Sequence, residues 1–136
     1  MIKRGEVYSD SSFIYPEGNQ AEKLIIILNK NYTPPEPIIA VPTTTTLSPN
    51  NFNLGCNSTN KIYYIKAKQD FFKEDTFIQL YVINTPMSES IFYRKLTTTQ
   101  EIRLMTSLKY ATITSIVKCI ETIKEDIDTY LHQFLF

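Results

Sequence analysis

The stretch that decides the fold is residues 2–46, IKRGEVYSDSSFIYPEGNQAEKLIIILNKNYTPPEPIIAVPTTTT. In it, the charged loop Gly18–Lys23 precedes the apolar run Leu24–Leu28, and a second run, Ile38–Pro42, leads into Thr43–Thr46. A continuous run of Leu and β-branched Ile is typical of a strand buried on both faces. We therefore expect two strands, with charged residues before the first and a cluster of hydroxyl groups at the end of the second.

Further apolar runs predict a mainly β fold. Val7 to Tyr15 suggests a short strand and a loop, while Lys61–Ala67 and Thr76–Asn84 each have an apolar or aromatic centre. Pro42 is expected at a sheet edge or a bulge, because proline cannot donate to the ladder. Strands spaced about ten residues apart with turn residues between them are typical of small barrels and sandwiches. We predict a small β-barrel over residues 1–96.

The last part of the chain has a helical pattern. No Gly or Pro interrupts Thr98–Phe136, and Thr98 or Thr99 can cap a helix. Together with Thr112, the apolar residues follow one another in steps of three and four, which places them on one helical stripe: Ile102, Met105, Leu108, Ile116, Ile120, Ile123, Ile127, Leu131 and Phe134. This predicts a long helix or a helix pair over residues 97–136, with a break near Thr122–Asp126, in a single domain of residues 1–136.

Composition indicates an ordinary globular protein. The chain has 136 residues, 43% of them apolar and 21% charged, and its 14 bases balance its 14 acids. A neutral total argues mildly against a general nucleic-acid binder, which usually carries an excess of basic charge. We expect no membrane association, because no apolar run approaches the roughly 18 residues that a spanning helix needs. No metal or cofactor motif is expected.

The two cysteines, Cys56 and Cys119, are too few and too far apart to indicate a disulfide framework or a zinc site. Two unpaired thiols suit a reducing cytoplasm. The start of the chain does not have the pattern of a signal peptide. A cytoplasmic location is therefore expected.

Four blocks of sequence, in this order, resemble the MazF/PemK (Kid-like) family of toxin endoribonucleases. They are Arg4–Tyr8, Gly18–Leu24, Ala40–Thr44 and Asp75–Ile78, and the resemblance extends over about residues 2–108. It implies an SH3-like barrel of the MazF/CcdB type with a helical tail. It also implies a toxin–antitoxin system, with a homodimeric toxin paired with an antitoxin protein and acting on single-stranded RNA.

The same resemblance assigns the site. Lys23 stands where the family has its catalytic arginine, and Thr44 falls on the active-site threonine. Metal-independent RNA cleavage needs donors for the pentacovalent phosphate, which an ammonium and a hydroxyl can supply. Glu22 and Asp75 are candidates for a base or for orienting Lys23. The expected substrate-binding set is Gln20, Glu22, Thr43, Thr45 and Asp75.

The chain also departs from the family pattern. Lys23 replaces arginine and Leu24 replaces proline. Val82 and Asn84 stand where the family tends to carry Gln and Arg, and a further family arginine falls on Ser90. Several cations that would face RNA are missing, so inheritance of the fold is safer to expect than inheritance of the activity.

Other interpretations stay open. Lys23 can be a solvated charge beside a strand, and Thr43–Thr46 can reflect plain β-propensity. The chain can be a non-catalytic MazF/CcdB-fold protein that acts by binding a protein partner, or another small barrel with a helix. His132 is the only histidine, which argues against a ribonuclease built on a His pair. Several aromatic residues can stack on bases or form core: Tyr63, Tyr64, Phe71, Phe72, Phe77 and Tyr81.

Overall fold

The computed structural model describes residues 2–136, and its main element is an antiparallel sheet. The seven strands are β1 (Glu6–Ile14), β2 (Gln20–Ile27), β3 (Ala40–Thr44), β4 (Gly55–Asn57), β5 (Ile62–Ile65), β6 (Thr76–Gln79) and β7 (Ile102–Ser107). They pair in the order β4-β5-β6-β3-β2-β1-β7. Within residues 2–136 the sheet is open, with β4 and β7 at its edges, so the mainly β class is confirmed and closure into a barrel is not.

Three α-helices accompany the sheet: α1 (Glu89–Tyr93), α2 (Tyr110–Thr122) and α3 (His132–Leu135). A π-helical turn, Arg94–Thr98, continues α1. The hydroxyl of Ser88 accepts a hydrogen bond from the Ile91 amide at 3.2 Å, which caps the start of α1. Short 3₁₀ turns lie at Pro49–Asn51, Leu80–Val82, Lys124–Asp126 and Thr129–Leu131. In the part of the chain that the structure describes, every helix is too short or too polar to cross a membrane.

The prediction of a helical segment over residues 97–136 is wrong in its first part. Residues 102–107 form β7, which pairs with β1 and belongs to the sheet. The free edge of β1 offers a row of backbone hydrogen-bonding groups, and tertiary pairing of this kind overrides a helical periodicity. Helix α2 ends at Thr122, at the start of the segment where a break was expected. The predicted boundary at residue 97 therefore does not divide the chain into a β part and a helical part, because β7 follows it and α1 precedes it.

The predicted strands of the central sheet are present, with corrections at Thr76–Asn84 and at Pro42. The strand expected over Thr76–Asn84 ends at Gln79, and Leu80–Val82 form a 3₁₀ turn. Strand β3 lies between β2 and β6, so Pro42 is in an internal strand and not at an edge. Its partner on β2 is Ile25, while the pairing of β3 with β6 begins only at Thr43. An antiparallel strand residue needs its N–H for one neighbour only, and the sheet tolerates proline at this position because pairing on the β6 side starts one residue later.

The sheet has two buried faces. The face that we call the α2 face packs against α2 and the C-terminal residues, and the α1 face packs against α1. Side chains of β2 alternate between them: Ile26 lies on the α2 face, whereas Ile25 and Ile27 lie on the α1 face. Burial on both sides explains why Leu24–Leu28 reads as a continuous apolar run.

Cys56 and Cys119 form a disulfide bond across 63 residues of sequence, so the expectation of two unpaired thiols is wrong. Cys56 lies on the edge strand β4, and the buried Cys119 lies on α2. Their separation in sequence is not a separation in space, because α2 returns across the sheet to reach β4. The bond fastens one edge of the sheet to the helix that covers it.

Candidate functional site

Lys23 and Thr44 lie on neighbouring strands of the sheet. The register of β2 and β3 pairs Ile25 with Pro42 and Ile26 with Val41. Two further steps of the same register place Lys23 opposite Thr44. The hydroxyl of Thr43 donates to the Leu24 carbonyl at 3.1 Å, which shows that the strands still run side by side at this point. Directly opposed residues share a face of an antiparallel sheet, so Lys23 and Thr44 are placed on the α1 face.

The ammonium group of Lys23 is available for an anion. Lys23 is partly exposed, and its Nζ lies 5.9 Å from the ring centroid of Tyr15. Asp10 stands opposite Lys23 on β1, but the Asp10 carboxylate is engaged by a different lysine, Lys95. Among residues 2–136 the ion pairs within 4.0 Å are Lys95–Asp10 and Lys61–Asp126, and neither includes Lys23. The charge of Lys23 is therefore not neutralised by a carboxylate at contact distance.

Thr44 is only 7% exposed, and its hydroxyl already has partners. Its Oγ1 lies 3.0 Å from the Thr46 hydroxyl and accepts a hydrogen bond from the Thr46 amide at 3.3 Å. Because a hydroxyl both donates and accepts, Thr44 can donate to another acceptor if the Thr46 hydroxyl turns to donate to it. The hydroxyl is thus oriented by the chain itself near the end of β3.

The other predicted residues lie apart from this pair. Strand alternation places Gln20 and Glu22 on the opposite face from Lys23, and both are exposed. Thr43 also faces that side, where it is bonded to Leu24. By this register Lys23 and Thr44 share one face of the sheet, and these three substrate-binding candidates lie on the other face.

The two remaining candidates lie near the turn that joins β5 and β6. Thr45 is exposed and lines a shallow groove together with Phe71 and Glu74. The carboxylate of Asp75 accepts a hydrogen bond from the Ala67 amide at 2.9 Å, which braces the connection between the two strands. In this position Asp75 stabilises the turn and does not orient Lys23.

A chain of polar contacts that the sequence did not point to extends across the α1 face from Lys23. The Tyr15 hydroxyl donates to Oε1 of Gln79 at 2.7 Å, and Nε2 of Gln79 donates to the Tyr81 hydroxyl at 2.7 Å. Gln79 is 7% exposed and lies two residues beyond Phe77, the partner of Thr44 on β6. Gln79 could have been noticed in the sequence, because it is the one polar residue in the otherwise apolar run 77–80.

Tyr15 is fixed as a hydrogen-bond donor. Burial raises the pKa of the Tyr15 phenol above its ordinary value, and the neighbouring Tyr81 adds to the increase. The phenol therefore stays protonated at neutral pH. Its hydroxyl holds the Gln79 amide in one orientation, and its ring lies beneath the Lys23 ammonium.

A second polar group on this face is the buried pair of Asp10 and Lys95. Lys95 Nζ lies 2.8 Å from both carboxylate oxygens and donates to the Ser12 carbonyl at 3.1 Å. The three protons of the ammonium have three acceptors, so this lysine is a structural cation. It lines a cavity of about 240 Å³, together with Phe13, Ala40 and Met87. Sequence reasoning missed this pair, because Asp10 and Lys95 are 85 residues apart.

No cluster of three or more metal-ligating His, Cys, Asp or Glu side chains occurs among residues 2–136. In comparisons with known proteins, no family model matches the chain and no curated protein matches it either. The candidate site is therefore argued from its own geometry, centred on Lys23 and Thr44 and extended by Tyr15, Gln79 and Tyr81.

Proposed function

We propose that the chain is a toxin-like endoribonuclease that cleaves single-stranded RNA without a metal ion. The observation that carries this proposal is the placement of Lys23 and Thr44 on adjacent strands and on one face of the sheet. An ammonium without a carboxylate partner next to an oriented hydroxyl is a suitable pair for binding a phosphodiester.

In the proposed reaction the 2′-hydroxyl of a ribose loses its proton to water and its oxygen attacks the adjacent phosphorus. The bond from phosphorus to the 5′-oxygen breaks and that oxygen takes a proton from water, so the products are a 2′,3′-cyclic phosphate and a 5′-hydroxyl. Lys23 stabilises the charge that develops on the equatorial phosphate oxygens. The Thr44 hydroxyl donates a hydrogen bond to one of these oxygens. The Thr46 hydroxyl then donates to Thr44, so the contact between the two threonines is kept. Lysine supplies a point charge where arginine would supply a planar fork, so we expect slower cleavage than an arginine would allow.

The proposal includes the wider context that the resemblance implies. We propose that the open sheet is a variant of the SH3-like MazF/CcdB-type architecture, and that the protein forms a homodimer and binds an antitoxin protein. The unpaired edge strand β7, which exposes Leu104 and Met105, supports association with another chain. A cytoplasmic location is part of the proposal because RNA is the substrate, and it no longer rests on the cysteines. A reducing cytoplasm would favour the thiol form of Cys56 and Cys119.

The test is an incubation of the purified protein with a long single-stranded RNA in EDTA, with a DNA of the same sequence as the comparison. We expect cleavage of the RNA alone, because the DNA lacks the attacking 2′-hydroxyl. Lys23→Ala should slow cleavage by about 100-fold or more. Lys66→Ala, which removes an exposed lysine just after β5, should leave the rate unchanged. RNA that stays intact with the wild-type protein, in both the oxidised and the reduced state, would reject the proposal.

One observation favours a second candidate function. Thr44 is largely buried and its hydroxyl is satisfied within the chain, which also suits a protein that uses this fold without catalysis. Such a protein would act by binding a protein partner. A wild-type protein that leaves every RNA intact and forms a stable complex with an antitoxin encoded beside it would favour this candidate.

A further inference from the structure

We propose that Tyr81 is a stacking platform for an unpaired base of the RNA, and that Gln79 is the positioning residue that holds it. The inference rests on the proposed function, because it names the part of the substrate that the same site recognises. It adds two residues, Gln79 and Tyr81, to the pair on which cleavage depends.

The first support is the exposure of the Tyr81 ring. Tyr81 is 50% exposed, although its neighbours Leu80 and Val82 are buried. It lies in the short turn that directly follows β6, so its backbone is held by an internal strand of the sheet. A large aromatic ring presented to solvent from a rigid element offers a face on which a base can stack.

The second support is the way the ring is held. The Tyr81 hydroxyl accepts a hydrogen bond from the buried amide of Gln79 at 2.7 Å. A flip of the Gln79 amide would break both hydrogen bonds, because its oxygen accepts from the Tyr15 hydroxyl, also at 2.7 Å. Both ends of the amide are thus assigned, and the ring of Tyr81 is fixed before any ligand arrives. A preorganised side chain loses less conformational entropy on binding than a free one.

The third support is continuity with the proposed catalytic pair. Tyr15 joins the two parts of the site, since its ring lies 5.9 Å from Lys23 Nζ and its hydroxyl contacts Gln79. A strand of RNA whose phosphate is bound by Lys23 therefore has Tyr15, Gln79 and Tyr81 beside it along the α1 face. In this proposal an unpaired base of the same RNA strand stacks on the Tyr81 ring.

The charge of the molecule agrees with binding by stacking. With 14 bases and 14 acids the chain lacks the excess of cations through which many proteins bind phosphate backbones. Base contacts can supply a larger share of the affinity in such a protein, and stacking on a side chain needs a base that is not paired. The substrate class is accordingly single-stranded RNA, with tolerance for the identity of the stacked base.

The experiment measures binding of a fluorescein-labelled single-stranded RNA by anisotropy, using the oxidised full chain. Tyr81→Ala should weaken the affinity about 5- to 100-fold, the range expected for one lost stacking contact. Tyr81→Phe keeps the ring but loses the hydrogen bond from Gln79, so its affinity should fall between those of wild type and Tyr81→Ala. Tyr130→Ala is the matched control, because Tyr130 is 54% exposed on the C-terminal segment and should leave the affinity unchanged. Thermal unfolding of each variant checks that the fold is intact.

A second probe isolates the base. With an oligomer of the same length made of abasic nucleotides, wild type and Tyr81→Ala should bind equally. The inference is overturned if Tyr81→Ala binds the normal RNA as tightly as wild type, if it loses the same factor on the abasic oligomer, or if Tyr130→Ala has an equal effect. Binding that depends on Tyr81 without any cleavage would uphold this inference and reject the proposed activity. Cleavage that depends on Lys23 but not on Tyr81 would uphold the proposed activity and reject the role of Tyr81.

Discussion

Two lysines on the same face of the sheet have different surroundings and therefore different roles. Lys95 is buried and bound to both oxygens of Asp10, whereas Lys23 is partly exposed and lies over an aromatic ring. A buried lysine without an anion would be strongly disfavoured, so each member of the Asp10–Lys95 pair depends on the other. Lys23 has no such requirement, and its charge can serve a ligand.

The buried pair leads to a stability prediction. Asp10→Ala leaves the Lys95 ammonium buried and uncompensated, and should lower the free energy of unfolding by about 3–5 kcal/mol. Lys61→Ala removes the Lys61–Asp126 pair, whose groups are 3.7 Å apart and partly exposed, and should cost at most about 1 kcal/mol. Urea denaturation followed by circular dichroism measures both. Equal effects of the two substitutions would contradict the assigned role of the buried pair.

At the level of single residues, Lys23 and Thr44 are candidates because short blocks of sequence resemble a known family, and both residues adjoin recognisable strands. It could not predict that Asp10 pairs with Lys95, or that Gln79 joins Tyr15 to Tyr81. These contacts link residues that are distant in sequence, and they depend on which strands become neighbours. Resemblance in short blocks carries no information on such pairings when the contacting residues lie outside the blocks.

At the level of elements, β2 and β6 were predictable because a continuous apolar run is a strong signal for an internal strand. Strand β7 was not. Its residues Ile102 and Met105 fit a helical stripe, but Met105 is exposed and lies where the register shifts against β1. An edge strand with a bulge has neither the alternation of a half-buried strand nor the continuous apolarity of a buried one, so its pattern is ambiguous.

The disulfide between β4 and α2 leads to a prediction at this scale. It closes a loop of 63 residues, and its loss should lower the free energy of unfolding by about 4 kcal/mol through the greater entropy of the unfolded chain. Cys56→Ser should therefore melt about 15 °C lower than wild type. Scanning calorimetry measures the difference, and wild-type protein kept in reductant is the control that should match the variant. A melting temperature independent of reductant would mean that the bond contributes nothing to stability.

At the level of the whole molecule, the sheet carries a helical layer on each side and a candidate site at one end of the α1 face. The mainly β class followed from run lengths and spacing. The open sheet, the short helices and the covalent link between β4 and α2 did not, because they depend on contacts between residues far apart in sequence.

The central claim is that Lys23 and Thr44 act together on one phosphodiester. The most direct measurement is the single-turnover rate of RNA cleavage in EDTA for four proteins: wild type, Lys23→Ala, Thr44→Ala and the double variant. We expect each single substitution to slow cleavage by about 100-fold or more, since each removes a contact to the transition state. The double variant should be little slower than either one, because residues that act as a unit are not additive. Rates equal to wild type, or losses that multiply in the double variant, would contradict the account.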